Sequence, residues 1–175
     1  MMDERGPGSP ADLVGELRAE LLARGGTLAG RMAGLSMAPM LLPGDELFLR
    51  EPGRRLLPVG RVVAFRRGGR RIVHRVLGHR GGLLVERGDR AGPPGLVDPA
   101  DVIAEVVAVG RGERTLRLDR GRGLLAGRGI AAAARLALLV PGGRVAPDPP
   151  PWARAWTRAL AAWAWRGAAA RGGEE

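Results

Sequence analysis

The serine at position 36 lies in a segment of small and turn-forming residues, Gly34 to Pro39, which is followed by Pro43-Gly44-Asp45 and a strand-like run. A serine hydroxyl attacks a carbonyl carbon only when a neighbouring group accepts its proton. Serines in loops of this kind are mostly turn residues. A catalytic interpretation of Ser36 therefore requires a base elsewhere in the chain.

The candidate base is a histidine, because all 28 basic residues are arginine and lysine is absent. His79 stands in the glycine-rich stretch Gly78–Gly82, where we expect a turn and a solvated ring. His74 lies within Ile72–Val76, which has strand character and places His74 on the same face as its aliphatic neighbours at i±2. A histidine in such a position is usually structural, but a half-buried neutral imidazole is also suited to general-base chemistry.

The composition is that of a globular protein with 175 residues, 45% of them hydrophobic and only 3% aromatic. It predicts one domain with an aliphatic core and appended helices. The net charge of +10 could attract polyanions. A general bias toward arginine explains that charge more simply, so no specific nucleic-acid partner is expected. Without cysteine and with two histidines, the chain predicts neither disulfides nor a metal site, and no cofactor is implied.

The hydropathy pattern predicts a protein that is cytoplasmic or peripheral at a membrane. Arg128 and Arg135 interrupt the most apolar region, so no stretch reaches the roughly 18 uncharged residues of a spanning helix. The first residues lack the basic-then-apolar order of a secretory signal.

Three regions follow from the residue patterns: 1–26, 27–119 and 120–175. The first predicts an amphipathic helix that starts after Ser9-Pro10 and ends at Gly25-Gly26. The second predicts a mainly β domain of short mixed or antiparallel strands with hairpin turns at Arg67–Arg70 and Gly78–Gly82. Its strand-like runs are Glu46–Arg50, Val59–Phe65, Arg71–Leu77, Leu83–Arg87, Val102–Val109 and Thr115–Leu118.

The region 120–175 predicts a helix over Leu124–Val140, a proline-rich linker over Ala146–Pro151 and a second helix over Trp152–Arg166. Tryptophan and arginine are interleaved in that last helix. Two roles fit it equally: peripheral contact with a membrane surface, or docking on the β domain.

Five short motifs, taken in chain order, resemble those of the signal-peptidase and self-cleaving-repressor serine proteases, the S24/S26 group. The resemblance covers roughly residues 30–110. Arg61 and Ala104 depart from it, since the family often has Asp and Gly there. The matching segments are Gly34-x-Ser36-Met37-x-Pro39 with Gly44-Asp45, Gly60–Phe65, Ile72–Val76, Arg87-Gly88-Asp89 and Asp101–Val106.

The resemblance implies a signal-peptidase-like β domain with Ser36 as nucleophile, Met37 beside it and His74 as base. It favours the endoplasmic-reticulum and archaeal branch, in which histidine takes the place of lysine. It also implies a carboxylate that orients the imidazole. Asp89, Asp98 and Asp101 are the candidates, and Asp98 is favoured by its position after the Gly-Asp motif. For Arg75 and Asp89 we expect a structural ion pair or turn cap.

The function that this resemblance implies is a serine endopeptidase acting on a protein or peptide substrate. One alternative is a self-cleaving, repressor-like relative, disfavoured because those enzymes use lysine and repressors carry a helix-turn-helix. The other is an inactive scaffold of the same fold that binds peptide, lipid or nucleic acid.

Overall fold

The computed structural model describes residues 27–53, 57–90, 92–139 and 149–170. The predicted helix in region 1–26 lies outside these residues. So do Val140, at the end of one predicted helix, and Ala146 to Asp148 of the predicted linker.

The described chain is mainly β, with nine strands in one sheet and two α-helices. This confirms the predicted fold class of a mainly β protein with flanking helices. The strands are β1 (Thr27–Arg31), β2 (Glu46–Arg50), β3 (Val62–Arg67), β4 (Arg70–Arg80), β5 (Leu83–Arg87), β6 (Gly95–Val97), β7 (Val102–Arg111), β8 (Arg114–Arg117) and β9 (Ala169–Ala170), and the helices are α1 (Gly121–Leu139) and α2 (Pro151–Arg166).

The sheet has the order β1-β2-β7-β3-β4-β5-β6, and β8 and β9 extend it from β7. All of its pairings are antiparallel. Strand β7 is the centre: β2 pairs along one edge, while β3 and β8 share the other. The short β9 joins the C-terminal region to the same sheet.

Two hairpins, β3–β4 and β4–β5, turn on pairs of glycines with positive φ. These are Gly68 and Gly69 in the first hairpin and Gly81 and Gly82 in the second, as two-residue type I′ turns require. The predicted turn over Gly78–Gly82 is too long. Strand β4 continues to Arg80, because its last residues keep pairing with the first residues of β5.

The core lies on both faces of the sheet because side chains alternate along each strand. Val62 points to the face that the Ser36 loop and the two helices cover, whereas its neighbour Val63 belongs to a separate cluster with Phe65 and Val76. No helix among the described residues is long and apolar enough to cross a membrane.

Helix α1 approaches the sheet closely at Gly127. A Cβ there would lie 2.7 Å from both a guanidinium nitrogen of Arg75 and the carbonyl oxygen of Gly60. Gly60 has φ +94°, and a Cβ on it would lie 2.8 Å from the backbone nitrogen of Arg128. Helix α1 therefore packs on the sheet through glycines. The predicted strand starting at Val59 begins only at Val62, because Gly60 has a positive φ that a strand does not allow.

Gly127→Ala should lower the free energy of unfolding by about 1–3 kcal/mol, because backbone and a buried guanidinium would have to move. Gly129→Ala is the matched control: its Cβ would meet only the side chain of Leu160, whose nearest methyl carbon lies 2.8 Å away, and alanine gains about 1 kcal/mol of helix propensity over glycine. Urea unfolding of both variants measures the difference. Equal stabilities would contradict close packing at Gly127.

Candidate active site

Ser36 lies half-buried in the loop between β1 and β2. The loop is anchored from below by Met37, Met40 and Leu41, whose side chains are fully buried in the core. It closes on itself through Ala38 N–H, which donates to the Leu35 carbonyl at 3.0 Å, and the Ala38–Pro39 peptide bond is cis. Buried apolar side chains thus hold the serine at the surface of the sheet.

The segment after β5 holds Ser36 from the other side. Arg90 N–H donates to the Ser36 carbonyl at 2.9 Å. A Cβ on Gly88 would lie 2.6 Å from that carbonyl oxygen and 3.1 Å from the Ser36 Cβ, so only glycine permits this contact. Gly88 directly follows Arg87. Arg87 lies opposite Arg75, the neighbour of His74, in the β4–β5 strand pairing. Two motifs distant in sequence therefore meet at the serine.

His74 is half-buried in β4, and its Nδ1 is hydrogen-bonded to the carboxylate of Glu86. An ionised carboxylate only accepts hydrogen bonds, so Nδ1 carries the proton in a neutral ring. Nε2 is then the nitrogen left to accept a proton from a substrate or nucleophile. The ring also packs edge-on against Phe65, with 6.0 Å between centroids.

Glu86 was missed by the sequence analysis, and a β-bulge in β4 explains why. From the turn, Arg80 pairs with Leu83 and Gly78 with Val85, a register that would set Glu86 opposite Leu77. The bulge between Val76 and Gly78 shifts the register by one residue and sets Glu86 opposite Val76. A one-residue shift exchanges the faces of a strand, and it brings Glu86 to the face of His74.

The preference for Asp98 as the orienting carboxylate is wrong in this structure. Asp98 caps the short 3₁₀ turn Pro99–Asp101 by accepting from Ala100 N–H at 2.8 Å, and it is exposed like Asp101. The third candidate, Asp89, pairs with Arg75 instead. The short polar side chain of Asp98 serves the local backbone, as aspartate commonly does before a helical turn.

The environment of Glu86 keeps its carboxylate ionised. Burial alone would raise its pKa, but the hydrogen bonds and charges of His74 and Arg67 outweigh that effect and lower the pKa below its usual value. An Arg67 guanidinium nitrogen lies 2.8 Å from the second carboxylate oxygen. Glu86 is therefore a fixed anion that holds the imidazole through Nδ1.

Arg75 and Asp89 form the expected ion pair in the interior. Their side chains are each 1% exposed, and two parallel hydrogen bonds of 2.7 and 2.6 Å join the guanidinium to the carboxylate. The remaining terminal nitrogen of Arg75 donates to the Gly60 carbonyl at 2.7 Å. Neither residue is free to act on a substrate, so their role is structural.

Ser36 and His74 both line one open cleft of about 660 Å³, bounded by the end of β1, the Ser36 loop, β2 and the start of β4. Within the described residues, neither the hydroxyl nor the backbone N–H of Ser36 makes a hydrogen bond. Ser36 and His74 are thus not hydrogen-bonded to each other here. Hydrogen bonds between a nucleophile and its base are often long in substrate-free enzymes and tighten when substrate binds.

Helix α2 reaches the far end of the same loop. Trp165 Nε1–H donates to the Met40 carbonyl at 3.0 Å, and the Arg111 guanidinium stacks 4.2 Å from the Trp165 ring. Arg111 also pairs with Asp45 at 2.7 Å, and Asp45 accepts from Leu42 N–H at 2.8 Å. Docking on the domain is therefore the role of this part of the helix.

His79 lies at the opposite end of β4 from the cleft. It is exposed, and its Nε2–H donates to the Leu57 carbonyl at 3.0 Å. The expectation of an exposed ring is confirmed, although the residue stands on a strand rather than in a turn.

No family model, curated protein or solved structure matches the chain.

Glu86→Gln should lower the free energy of unfolding near neutral pH by about 2 kcal/mol, since a buried, charge-assisted hydrogen bond is lost. The pKa of Glu86 is lower in the folded state than its ordinary value of 4.5, so its stabilisation is present above that value and is lost as the pH falls through the folded-state pKa. The difference in unfolding free energy between the parent chain and Glu86→Gln should therefore become smaller in acid. Urea unfolding over that pH range measures it.

Glu113→Gln is the control for the same chemical change at an exposed turn, and it should leave the unfolding free energy nearly unchanged. A Glu86→Gln deficit of constant size down to the lowest pH would show that charge is not what Glu86 contributes.

Proposed function

We propose that the protein is a serine endopeptidase with Ser36 as nucleophile and His74 as general base. The observation that supports this most is the hydrogen bond from His74 to Glu86, because His74 lines the same cleft as Ser36. The order carboxylate, imidazole, hydroxyl has the logic of a catalytic triad. The motif resemblance to the S24/S26 group points to the same two residues independently.

Catalysis would begin when the Ser36 hydroxyl attacks the carbonyl carbon of a peptide bond and its proton passes to His74 Nε2. The negative charge that develops on the carbonyl oxygen needs a donor, and the unoccupied Ser36 N–H is a candidate. His74 then gives the proton to the leaving amine as the C–N bond breaks. Water attacks the acyl-enzyme, again losing a proton to His74, which returns it to Ser36 as the carboxylic product leaves.

The proposed substrate is an extended segment of protein or peptide. Strand β4 pairs with β5 only from Arg75 onward, so its stretch Arg70–His74 keeps one edge without a strand partner in the described sheet. Strand β1 is the edge of the sheet on the other side of the cleft. Free strand edges of this kind bind peptides by adding a strand.

The nucleophile and base are tested together by labelling and turnover. Ser36→Ala should abolish labelling by a fluorophosphonate probe, and His74→Ala should reduce it by about 10²-fold or more, as loss of a general base does. His79→Ala is the matched histidine control and should label like the parent chain. In-gel fluorescence and mass spectrometry of the labelled peptide measure the outcome. Parent-like labelling of His74→Ala, or no labelling of the parent, would contradict the proposal; the latter favours the scaffold alternative.

We also propose that the helix layer contacts an anionic membrane surface at one end. Trp152 and Trp156 are 38% and 59% exposed at the start of α2, and Leu136 and Leu139 are 56% and 77% exposed at the end of α1. Both helices carry arginines but no acidic residue. Exposed tryptophan and leucine beside arginine suit a lipid headgroup region.

The double substitution Trp152→Ala/Trp156→Ala should weaken partitioning to anionic vesicles by about tenfold or more, since each ring would lose apolar burial. Parent binding should be weaker to neutral vesicles and should fall as salt rises. Vesicle sedimentation measures this, with Leu96→Ser, another exposed leucine, as control. Unchanged partitioning of the double variant would contradict the proposal. It would also be contradicted if the parent protein self-associates and the same two substitutions abolish that self-association.

A further inference from the structure

The cleft that contains Ser36 and His74 has an unbalanced charge. Arg31, Arg70 and Arg71 line it, and its lining contains no aspartate or glutamate among the described residues. All three arginines are exposed. Arg90, also exposed, donates its backbone N–H to Ser36 and so lies next to the cleft.

These arginines differ from many others on the sheet, which are committed to carboxylates. Arg61 pairs with Glu105, Arg67 with Glu86, Arg111 with Asp45 and Arg117 with Asp119. Arg31, Arg70, Arg71 and Arg90 make no ion pair with any residue in the described part of the chain. The cleft therefore brings together arginines without an ion pair, in contrast to the four arginines that carboxylates neutralise.

Glu86 is the acidic residue nearest to His74, and it does not neutralise these arginines. Its two carboxylate oxygens are occupied by Arg67 and His74, and its side chain is 2% exposed. A ligand in the cleft would meet the arginines without competition from this carboxylate.

The arginines on β4 also lie at a defined distance from His74. Arg71 precedes His74 by three residues on β4, and a strand rises about 3.3 Å per residue, so the two backbones are about 10 Å apart. A peptide that pairs with the free edge of β4 would bring a side chain about three residues from its scissile bond to Arg71. Guanidinium groups bind carboxylates through paired, charge-assisted hydrogen bonds.

We propose that the cleft selects acidic peptide segments, with Asp or Glu about three residues from the bond that is cut. This substrate class rests on the proposed endopeptidase function. Arg70 and Arg71 on β4, with Arg31 on β1, are its specificity-determining residues. Their charge attracts acidic segments to the cleft and holds them along the strand edge.

The test uses internally quenched peptide libraries that are degenerate except for one position, three residues to either side of the centre, fixed as Glu, Gln or Lys. The parent chain should cleave the Glu library with a kcat/KM about tenfold above the Gln library at low salt, and the Lys library should be slowest. The advantage should shrink in high salt, because exposed charges are screened.

Arg70→Glu/Arg71→Glu should remove the preference for Glu or reverse it toward Lys. Arg80→Glu is the matched control, since it makes the same charge change at an exposed position at the other end of β4, and it should keep the preference. Arg31→Gln changes a residue on a different strand and should also reduce the preference for Glu. It keeps the test valid if the double variant misfolds. Equal cleavage of the three libraries by the parent, or equal loss of preference in Arg80→Glu, would overturn the acidic-substrate inference.

Failure of the endopeptidase proposal is distinguishable from failure of this inference. If no library is cleaved and the fluorophosphonate probe does not label Ser36, the proposed activity falls. Fluorescence anisotropy of labelled Glu and Gln peptides with Ser36→Ala then still measures the charge preference of the cleft. Tighter binding of the Glu peptide supports the acidic selectivity, and equal binding of the two peptides overturns it.

Discussion

The buried ion pair between Arg75 and Asp89 is the interaction on which the arrangement of the cleft depends. Arg75 follows His74 on β4, and Asp89 follows Gly88, the residue pressed against Ser36. One pair of hydrogen bonds therefore fixes two segments that carry or contact the candidate catalytic residues. Removing one member of such a pair typically costs about 3–5 kcal/mol, because the other is left charged and buried. The hydrogen bond from Arg75 to the Gly60 carbonyl extends this constraint to the turn beneath α1.

Much of the sheet was predictable from sequence because its strands are short aliphatic runs between glycine turns. Glu46–Arg50 and Leu83–Arg87 have the bounds that the sequence analysis gave. Strand β1 was not predicted, since Thr27–Arg31 has one β-branched residue and no aromatic residue to favour a strand. Its pairing with β2 is a tertiary contact. Strand β6 has only three residues, in a stretch rich in proline and glycine.

The candidate site was predictable as far as Ser36 and His74, whose residue types and surroundings carry their own chemical signal. The partner of His74 was not, since it depends on a β-bulge that no residue pattern announces. The alternating pattern with an uninterrupted register would assign Glu86 to the other face of the sheet. The register of neighbouring strands decides which side chains meet across a sheet. The distance between two residues in the sequence says little about that register. Asp98, chosen by its position in the chain, was wrong for this reason.

The hydrogen bond from Trp165 to the Met40 carbonyl links the Ser36 loop to a residue 125 positions later in the chain. A ribosome releases this loop long before it releases the helix that completes its support. During synthesis, the Met40 carbonyl can therefore accept from Arg111 of β7 as the sheet assembles, but it still lacks the Trp165 indole N–H. The geometry around the serine is complete only after the last helix has folded back, so maturation of the site is a late event in the life of each new molecule.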